Sequence, residues 1–391
     1  MNSLLVCDKE LNRFSPSRKS PIHHTSFRKL AAAAAIMTAA VSAAAAPSDA
    51  QAPFAHVVPT NFPGVFAFTQ PPAGFDPLAA SPEELAAWGY PARPGVEEGP
   101  GALTRWSQEV STSLRREVPQ LVRREGVYNR PLTGLKVTSP RSGFNAPIAA
   151  TSSNWSGYAL VPATGAQPFN SVTGRWTLPT VMQAPGTCSG GWDYSSQWVG
   201  IGGFADAFLL QAGSAANAFC DVGNNIPEYF PWIEWLPASE LVLYKNASTN
   251  TLYPFAPGDY LIVTITATNF ASGVSTSGRL SFADVTQGWS ISLTFTAAAL
   301  GGSEVTGQSA EWIVERTEVD GALATLPDYI ANPWWSTKAM DLGAGAHYPG
   351  SPNASKVYNI TMLDDSNAKV SFVDLFGKDA LWFFPEGSAT K

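Results

Sequence analysis

The sequence predicts an all-β fold, a sandwich or barrel, behind a partly helical N-terminal segment. Two observations carry this. From Asn154 onward, short runs rich in Val, Ile, Thr and aromatic residues recur between clusters of Gly, Pro, Asn and Ser, with almost no helical periodicity. In one run, Tyr260–Asn269, Ile262, Thr264 and Thr266 alternate with Leu261, Val263, Ile265 and Ala267, as side chains on opposite faces of a strand do.

Taken from the N-terminus, residues 1–46 have the layout of a secretory signal peptide. Arg18, Lys19, Arg28 and Lys29 precede an apolar run from Leu30 to Val41, and Ala44-Ala45-Ala46 forms an A-x-A site before Pro47. The run is too short for a stable membrane span, and no later stretch reaches about 18 uninterrupted apolar residues. The expected location is therefore extracellular or periplasmic, without membrane insertion. Residues 47–150 read as a segment with helices. Ser81 caps a short helix that has Pro82 at its first position and Gly89 at its end. Val110, Leu114, Val118, Leu121 and Val122 lay a helical stripe over 102–125, kinked or split at Pro119, with Arg115, Arg116, Arg123 and Arg124 on its polar side. Residues 126–150 read as loop. Strands are predicted at 155–161, 171–178, 195–201, 208–211, 229–236, 260–269, 276–283, 289–296, 310–317, 356–363 and 369–374.

Charge and motif content exclude several functions. The 391-residue chain is 45% apolar and 14% charged, with net charge -7. Residues 151–391 hold nine Lys or Arg against twenty Asp or Glu. So acidic a domain repels nucleic acid at neutral pH and loses self-repulsion in acid. Cys188 and Cys220 form an even pair that an exported protein would oxidise; two separate buried thiols are the alternative. No C-x-x-C, H-E-x-x-H or nucleotide-binding glycine motif is present, so neither a metal nor a cofactor is expected. His347, the single histidine of this region, reads as an exposed loop residue, and a Ser-His-Asp triad would have to use it. The G-x-S-x-G elbow and the Asp-Thr-Gly motif are absent.

Carboxylate and amide chemistry remain. Within Gln308–Arg316, Ala310, Trp312 and Val314 share one strand face, and Glu311, Ile313 and Glu315 share the other. A carboxylate in such apolar company is costly to ionise, and burial raises its pKa, as suits a catalytic acid or base. Glu311 and Glu315 stand about 13 Å apart along the strand, so a cooperating partner must come from another strand. Glu234, flanked by Trp232 and Trp235, and Gln211, after an apolar run, are the other candidates. Each taken alone also reads as a solvated strand-face carboxylate or a hydrogen-bonded edge amide.

Several stretches in order resemble the glutamic peptidases (eqolisins, peptidase family G1). They are Asn154-Trp155-Ser156-Gly157-Tyr158, Gln197-Trp198-Val199-Gly200-Ile201-Gly202-Gly203, Leu210-Gln211-Ala212-Gly213, Trp232-Ile233-Glu234-Trp235, Gly258-Asp259 and Ala310-Glu311-Trp312-Ile313-Val314-Glu315. The likeness covers about residues 151–330, and Ser81–Pro91 looks like the family's prosegment motif. It implies an antiparallel two-sheet β-sandwich of concanavalin-like or jelly-roll type over 151–391, behind a prosegment over 47–150 that inhibits it intramolecularly. It also implies a secreted, metal-independent acid endopeptidase acting on proteins or peptides; a monomer is expected. Gln211 and Glu311 would be the catalytic pair, with Trp198, Trp232 and Glu234 near the substrate cleft. Glu311 would take a proton from the attacking water, and the Gln211 amide would donate to the oxyanion. Gly202 stands where the family often has Asp, and Leu236 where Tyr is common. The arginines at 115, 116, 123 and 124 are expected to pair with the acidic domain at neutral pH and to loosen in acid. Two other functions compete. One is a glycoside hydrolase using Glu234 and Glu311, with carboxyls about 5–9 Å apart. The other is a non-catalytic carbohydrate-binding module that stacks tryptophans on sugar.

Overall fold

The computed structural model describes residues 54–98, 100–137, 146–186, 190–204, 206–221, 223–351 and 355–386. The expected signal peptide over 1–46, and Cys188 with its expected bond to Cys220, lie outside these residues. Strands dominate. In chain order the main elements are β1 (Val65–Phe68), α1 (Pro82–Ala87), α2 (Pro100–Ser111), β2 (Gln120–Arg123), β3 (Ile148–Ser152), β4 (Trp155–Pro162) and β5 (Phe169–Thr177). There follow β6 (Ser195–Gly202), β7 (Leu209–Asp221), β8 (Asn224–Trp235), β9 (Leu241–Asn246), β10 (Tyr260–Thr268), β11 (Ser277–Asp284) and β12 (Trp289–Thr296). The last are β13 (Ala310–Arg316), β14 (Asn332–Asp341), β15 (Ser355–Leu363), β16 (Lys369–Phe376) and β17 (Ala380–Pro385).

The strands form two antiparallel layers, the sandwich that the resemblance implies. One runs β16-β15-β4-β13-β6-β7-β8-β9-β2, with β3 parallel beside β15. The other runs β17-β14-β5-β10-β11-β12-β1. Pairing of β16 with β17 makes the layers continuous at one edge. Period-2 alternation decides what lies between them. Val199, Ile201, Leu210, Ala212, Ala310, Trp312 and Val314 of the first layer pack with Val172, Trp176, Leu261, Val263, Ile265 and Leu280 of the second. Ile313 belongs to a different cluster, on the first layer's outer face. The two faces expected for the 310–316 strand are therefore the observed ones.

The N-terminal segment departs from expectation. Helix α1 has its capping box, Ser81 with Glu84, and Pro82 at its start. The stripe expected to be helical over 102–125 holds only to Ser111. Beyond it, Arg115–Glu117 runs parallel to Trp289–Ile291, and β2 pairs with β9. Pro119 cannot donate within a helix, β-branched Val118 and Val122 favour extended backbone, and each layer offers an unpaired edge. Tertiary pairing overrides the local stripe. Residues 126–150, expected to be loop, include β3. His347 is buried rather than exposed: it bonds Asp341 Oδ2 at 2.9 Å and Ser355 Oγ at 3.2 Å, tying the end of β14 to the start of β15.

Close approach of strands fixes one glycine by space alone. A Cβ on Gly213 would lie 2.0 Å from the Gln197 carbonyl oxygen and 2.7 Å from Cβ of Trp198. Gly213→Ala is expected to destabilise by about 3 kcal/mol, the upper end for overpacking, read as a lower urea midpoint at unchanged slope. An unchanged midpoint would show that β6 and β7 can part here without cost.

Candidate active site

The register of four adjacent strands sets Glu311 on β13, Gly200 on β6, Gln211 on β7 and Glu234 on β8 in one row. Opposed residues project to the same face, here the outer one. Gly200 places no side chain between Gln211 and Glu311, whose Cα atoms lie two strand spacings apart, about 10 Å. The next row holds Ile313, Trp198, Gly213 and Trp232, and the row after it Glu315, Ser196, Ala215 and Phe230. The sequence candidates Gln211, Glu311, Trp198, Trp232 and Glu234 thus share one face of one sheet.

An outer sheet face is normally wet, yet Gln211, Glu311 and Glu315 are fully buried. Residues 127–133 cross the face as a strap over Gln211, Glu234 and Glu315. The Gln211 amide nitrogen donates to the Asn129 carbonyl oxygen at 2.5 Å and to Glu234 Oε2 at 2.8 Å. The Asn129 backbone N–H donates to the same Glu234 oxygen at 3.0 Å, and the Arg130 N–H donates to Glu315 Oε1 at 2.8 Å. Trp155 Nε1 donates to the Arg130 carbonyl at 2.9 Å, and the Leu132 N–H to the Gly203 carbonyl at 3.0 Å. Tyr128 and Leu132 pack on the apolar patch of Trp155, Trp198, Trp232 and Ile313.

Burial sets the electrostatics. It pushes the Glu311 carboxyl well above its ordinary range; the Ser309 hydroxyl pulls it partly back, and the Asp206 carboxylate adds to the rise. Neither Glu311 oxygen, nor Oε1 of Gln211, meets a hydrogen-bond partner of good geometry among the described residues. Glu234 and Glu315 are also raised well above the ordinary range, first by burial. For Glu234 the neighbouring Glu240 charge adds to this. For Glu315 the Trp198 N–H, at 2.8 Å from Oε2, opposes it.

Several expectations meet their answer in this geometry. Glu315 is no mate of Glu311; it belongs to the strap contacts. Glu234 lies three strand spacings from Glu311, about 14 Å at the backbone, and bonds Gln211 instead. That disfavours the two-carboxylate glycosidase arrangement. At Gly202 the backbone has φ +87° and a Cβ would meet the Phe208 carbonyl at 2.0 Å, so this turn excludes the Asp common there. Of the four arginines, Arg124 alone pairs with a carboxylate of the acidic region, Glu240 at 3.4 Å. Arg116 donates to carbonyls of Thr69 and Trp88, Arg123 to those of Ser239 and Leu300, and Arg115 pairs with Glu117. Carbonyls do not titrate, so the expected loosening in acid loses most of its basis. Sequence reasoning missed Asn129, Glu240, Thr317 and Asp206. Only Tyr128-Asn129-Arg130-Pro131, a polar stretch ending at proline, hinted at a special loop.

Fold and face together describe an all-β protein that carries its polar groups on a sheet rather than on loops. Residues 153–374 match the model of the Peptidase A4 family, more than half of the chain. The chain belongs to this family of glutamic-type peptidases. The match extends past residue 330, where the sequence resemblance was expected to end. Among solved structures, the chain is similar to aspergilloglutamic peptidase from Aspergillus niger, with 22% identity and a TM-score of 0.39, over 49% of this chain and 99% of that one. It is also similar to the enzymatically active domain of bacteriophage CBA120 tailspike protein 2, with 13% identity and a TM-score of 0.23, over 56% and 29%. At these TM-scores neither likeness bears on the site. No curated protein sequence matches the chain. Among the described residues no helix is long and apolar enough to cross a membrane, and no cluster of His, Cys, Asp and Glu has the makings of a metal site.

The buried carboxyls make stability depend on pH. Glu240 is pushed up to about 7, by burial first, with Arg124 and Asn129 pulling down and Glu228 pushing up. A folded value above the unfolded one means that stability is full below the unfolded value and is lost as pH rises through about 7. Glu234, Glu311 and Glu315 shift in the same direction. The full-length chain is expected to melt at a lower temperature at about pH 8 than at about pH 5. Glu240's share is on the order of 3 kcal/mol at about 1.36 kcal/mol per unit. Glu240→Gln should flatten the profile. A melting temperature that climbs from acid to neutral pH would contradict this.

Proposed function

We propose that the protein is a secreted acid endopeptidase, made as a proenzyme, that hydrolyses peptide bonds with Gln211, Glu311 and one activated water. The observation that carries this reading is that Gln211 and Glu311 stand in one row of the sheet, on either side of Gly200. Gln211 already donates to a main-chain carbonyl, while the carboxylate oxygens of Glu311 and Oε1 of Gln211 are buried and, among the described residues, meet no hydrogen-bond partner of good geometry, the Ser309 hydroxyl standing near Glu311. A water held between those atoms would lose a proton to ionised Glu311 as its oxygen adds to the scissile carbonyl carbon. The Gln211 N–H would stabilise the oxyanion, and Glu311 would return the proton to the leaving nitrogen. Glu234 fixes which end of the Gln211 amide faces the carbonyl. Trp198, Trp232 and Trp155 would form the apolar floor under the peptide. Removing the strap would wet the site, lower the Glu311 pKa, and let the ionised base form in mild acid.

The segment before residue 151 acts in this reading as an intramolecular inhibitor, because its strap bonds Gln211, Glu234 and Glu315. The signal layout of residues 1–46 supports secretion, and the acidic balance of residues 151–391 supports a monomer. The test is digestion of a denatured protein between about pH 2 and 7, spanning the carboxylate range. It uses acid-treated full-length protein, with and without chelator, beside the Glu311→Gln and Gln211→Ala chains. Hydrolysis that survives in both variants, or that the chelator abolishes, would remove the assignment.

A further inference from the structure

We propose that residues 128–132 occupy the site as a substrate does, that Asn129–Arg130 is the bond the site cuts first, and that Glu240 and Thr317 select a carboxamide side chain ahead of the cut. The proposal rests on the peptidase reading above and assigns its specificity and its processing point.

A plug that only blocked a cleft would need side-chain contacts alone. This strap is held by its main chain. Asn129 N–H, Asn129 C=O, Arg130 N–H, Arg130 C=O and Leu132 N–H are each bonded to the sheet face or its rim. Binding through backbone groups is how a protein takes an extended peptide of any sequence. One peptide unit is fixed at both ends. Its oxygen, from Asn129, accepts from Gln211 at 2.5 Å, and its N–H, from Arg130, donates to Glu315 at 2.8 Å. The carbonyl that the site polarises is therefore the Asn129 carbonyl. Glu311 stands in the same row, one glycine away.

The side chains around the bond are read unequally. Asn129 is fully buried. Its Nδ2 donates to Glu240 Oε2 at 3.3 Å, and its Oδ1 accepts from the Thr317 hydroxyl at 3.4 Å. An acceptor and a donor at the right ends match a carboxamide. An aliphatic side chain would leave both unpaired. Arg130 is less enclosed: its guanidinium bonds Glu318 at 2.7 Å and stacks 4.0 Å from the Tyr128 ring, with its side chain 33% exposed. Selection after the cut is correspondingly looser.

Acid does not free this strap by titration. Glu234, Glu240 and Glu315 receive its hydrogen bonds, and a protonated carboxyl still accepts through its carbonyl oxygen. Arg124 faces Glu240 as a fixed cation. Release must come through hydrolysis. Water adds its oxygen to the Asn129 carbonyl carbon and a proton to the ionised form of Glu311, a minor species while the strap keeps that carboxyl buried, so the first cut is slow. The C–N bond breaks with its electron pair on the Arg130 nitrogen, which takes the proton. Asn129 ends as a carboxyl group and Arg130 as an α-amine.

The test is acidification of the full-length chain to about pH 4, near the ordinary carboxylate value, followed over time by intact mass and N-terminal sequencing. The first new N-terminus is expected at Arg130, with the matching fragment ending at Asn129. Asn129→Leu should slow that cut at least about tenfold, roughly one lost polar contact of 1.4 kcal/mol. A second measurement does not depend on that variant folding. Acid-processed wild-type protein should cleave the peptide Val-Tyr-Asn-Arg-Pro-Leu-Thr with higher kcat/KM than its Leu-for-Asn analogue, and Glu240→Ala should erase the preference. A first cut elsewhere with Asn129–Arg130 left intact, or equal rates on both peptides, overturns the proposal while leaving the peptidase reading in place. Absence of hydrolysis of any protein overturns both.

Discussion

Glu311→Gln is expected to lower acid proteolysis about a thousandfold, within the range for losing a general acid–base group, and to leave the full-length chain uncut after acidification. The substitution is nearly isosteric. Burial already favours the neutral form of Glu311, so an amide in its place should not weaken the fold. Unaltered melting with absent hydrolysis would separate chemistry from stability. Activity within about tenfold of wild type, one step of 1.36 kcal/mol in barrier, would remove Glu311 from the mechanism and leave this face without a base.

Gln211→Ala is the second large effect, expected at about a hundredfold to a thousandfold in kcat with little change in KM, as for loss of one oxyanion donor. The reason is geometric. The amide nitrogen serves the Asn129 carbonyl and Glu234 together, so the donor is already oriented where negative charge would build. Removing it also takes a donor from buried Glu234, whose other oxygen meets no partner among the described residues. A stability loss of about 1–3 kcal/mol should accompany the kinetic one. A rise in KM at constant kcat would instead make Gln211 a binding residue. Comparing the two variants tests whether the pair acts together: if it does, the double change costs hardly more than the worse single one.

How much of this was legible depends on where each contact lies. The strands Trp289–Thr296 and Ala310–Arg316 follow from β-branched and aromatic runs, and the two faces of the latter follow from period 2. Strand β7 was predicted only over its first residues. Its continuation, Ala212-Gly213-Ser214-Ala215-Ala216-Asn217-Ala218, has weak strand propensity and is extended by its long ladder with β8. Gln211 and Glu311 could be singled out by motif order, but their alignment across Gly200 depends on register, which no local pattern displays. Glu234 was placed near the substrate cleft from its motif, while its bonds to Gln211 and to the Asn129 N–H depend on tertiary contacts that no local pattern displays. The strap was illegible. The partners of Asn129 and of the Arg130 N–H lie 82 to 188 residues away in sequence, and the strap's own residues are ordinary loop formers. The arginines misled for a related reason: a cation near an acidic domain suggests ion pairs, while Arg116 and Arg123 cap backbone carbonyls.

The N-terminal segment also occupies the rims of both layers. β2 continues the first layer beyond β9, and β1 and Arg115–Glu117 lie along β12 of the second. Severing one bond in the strap leaves those ladders in place, so a nicked molecule would persist as two chains wound into one body. Departure of the smaller chain would bare two rows of unpaired backbone groups, templates for intermolecular strand exchange. Residues 151–391, with twenty acidic groups against nine basic ones, repel their copies near neutral pH, and that repulsion fades in acid. The working lifetime of such an enzyme in acid would thus be a matter of colloidal survival, set by how long the severed chain stays on as a guard for the open rims.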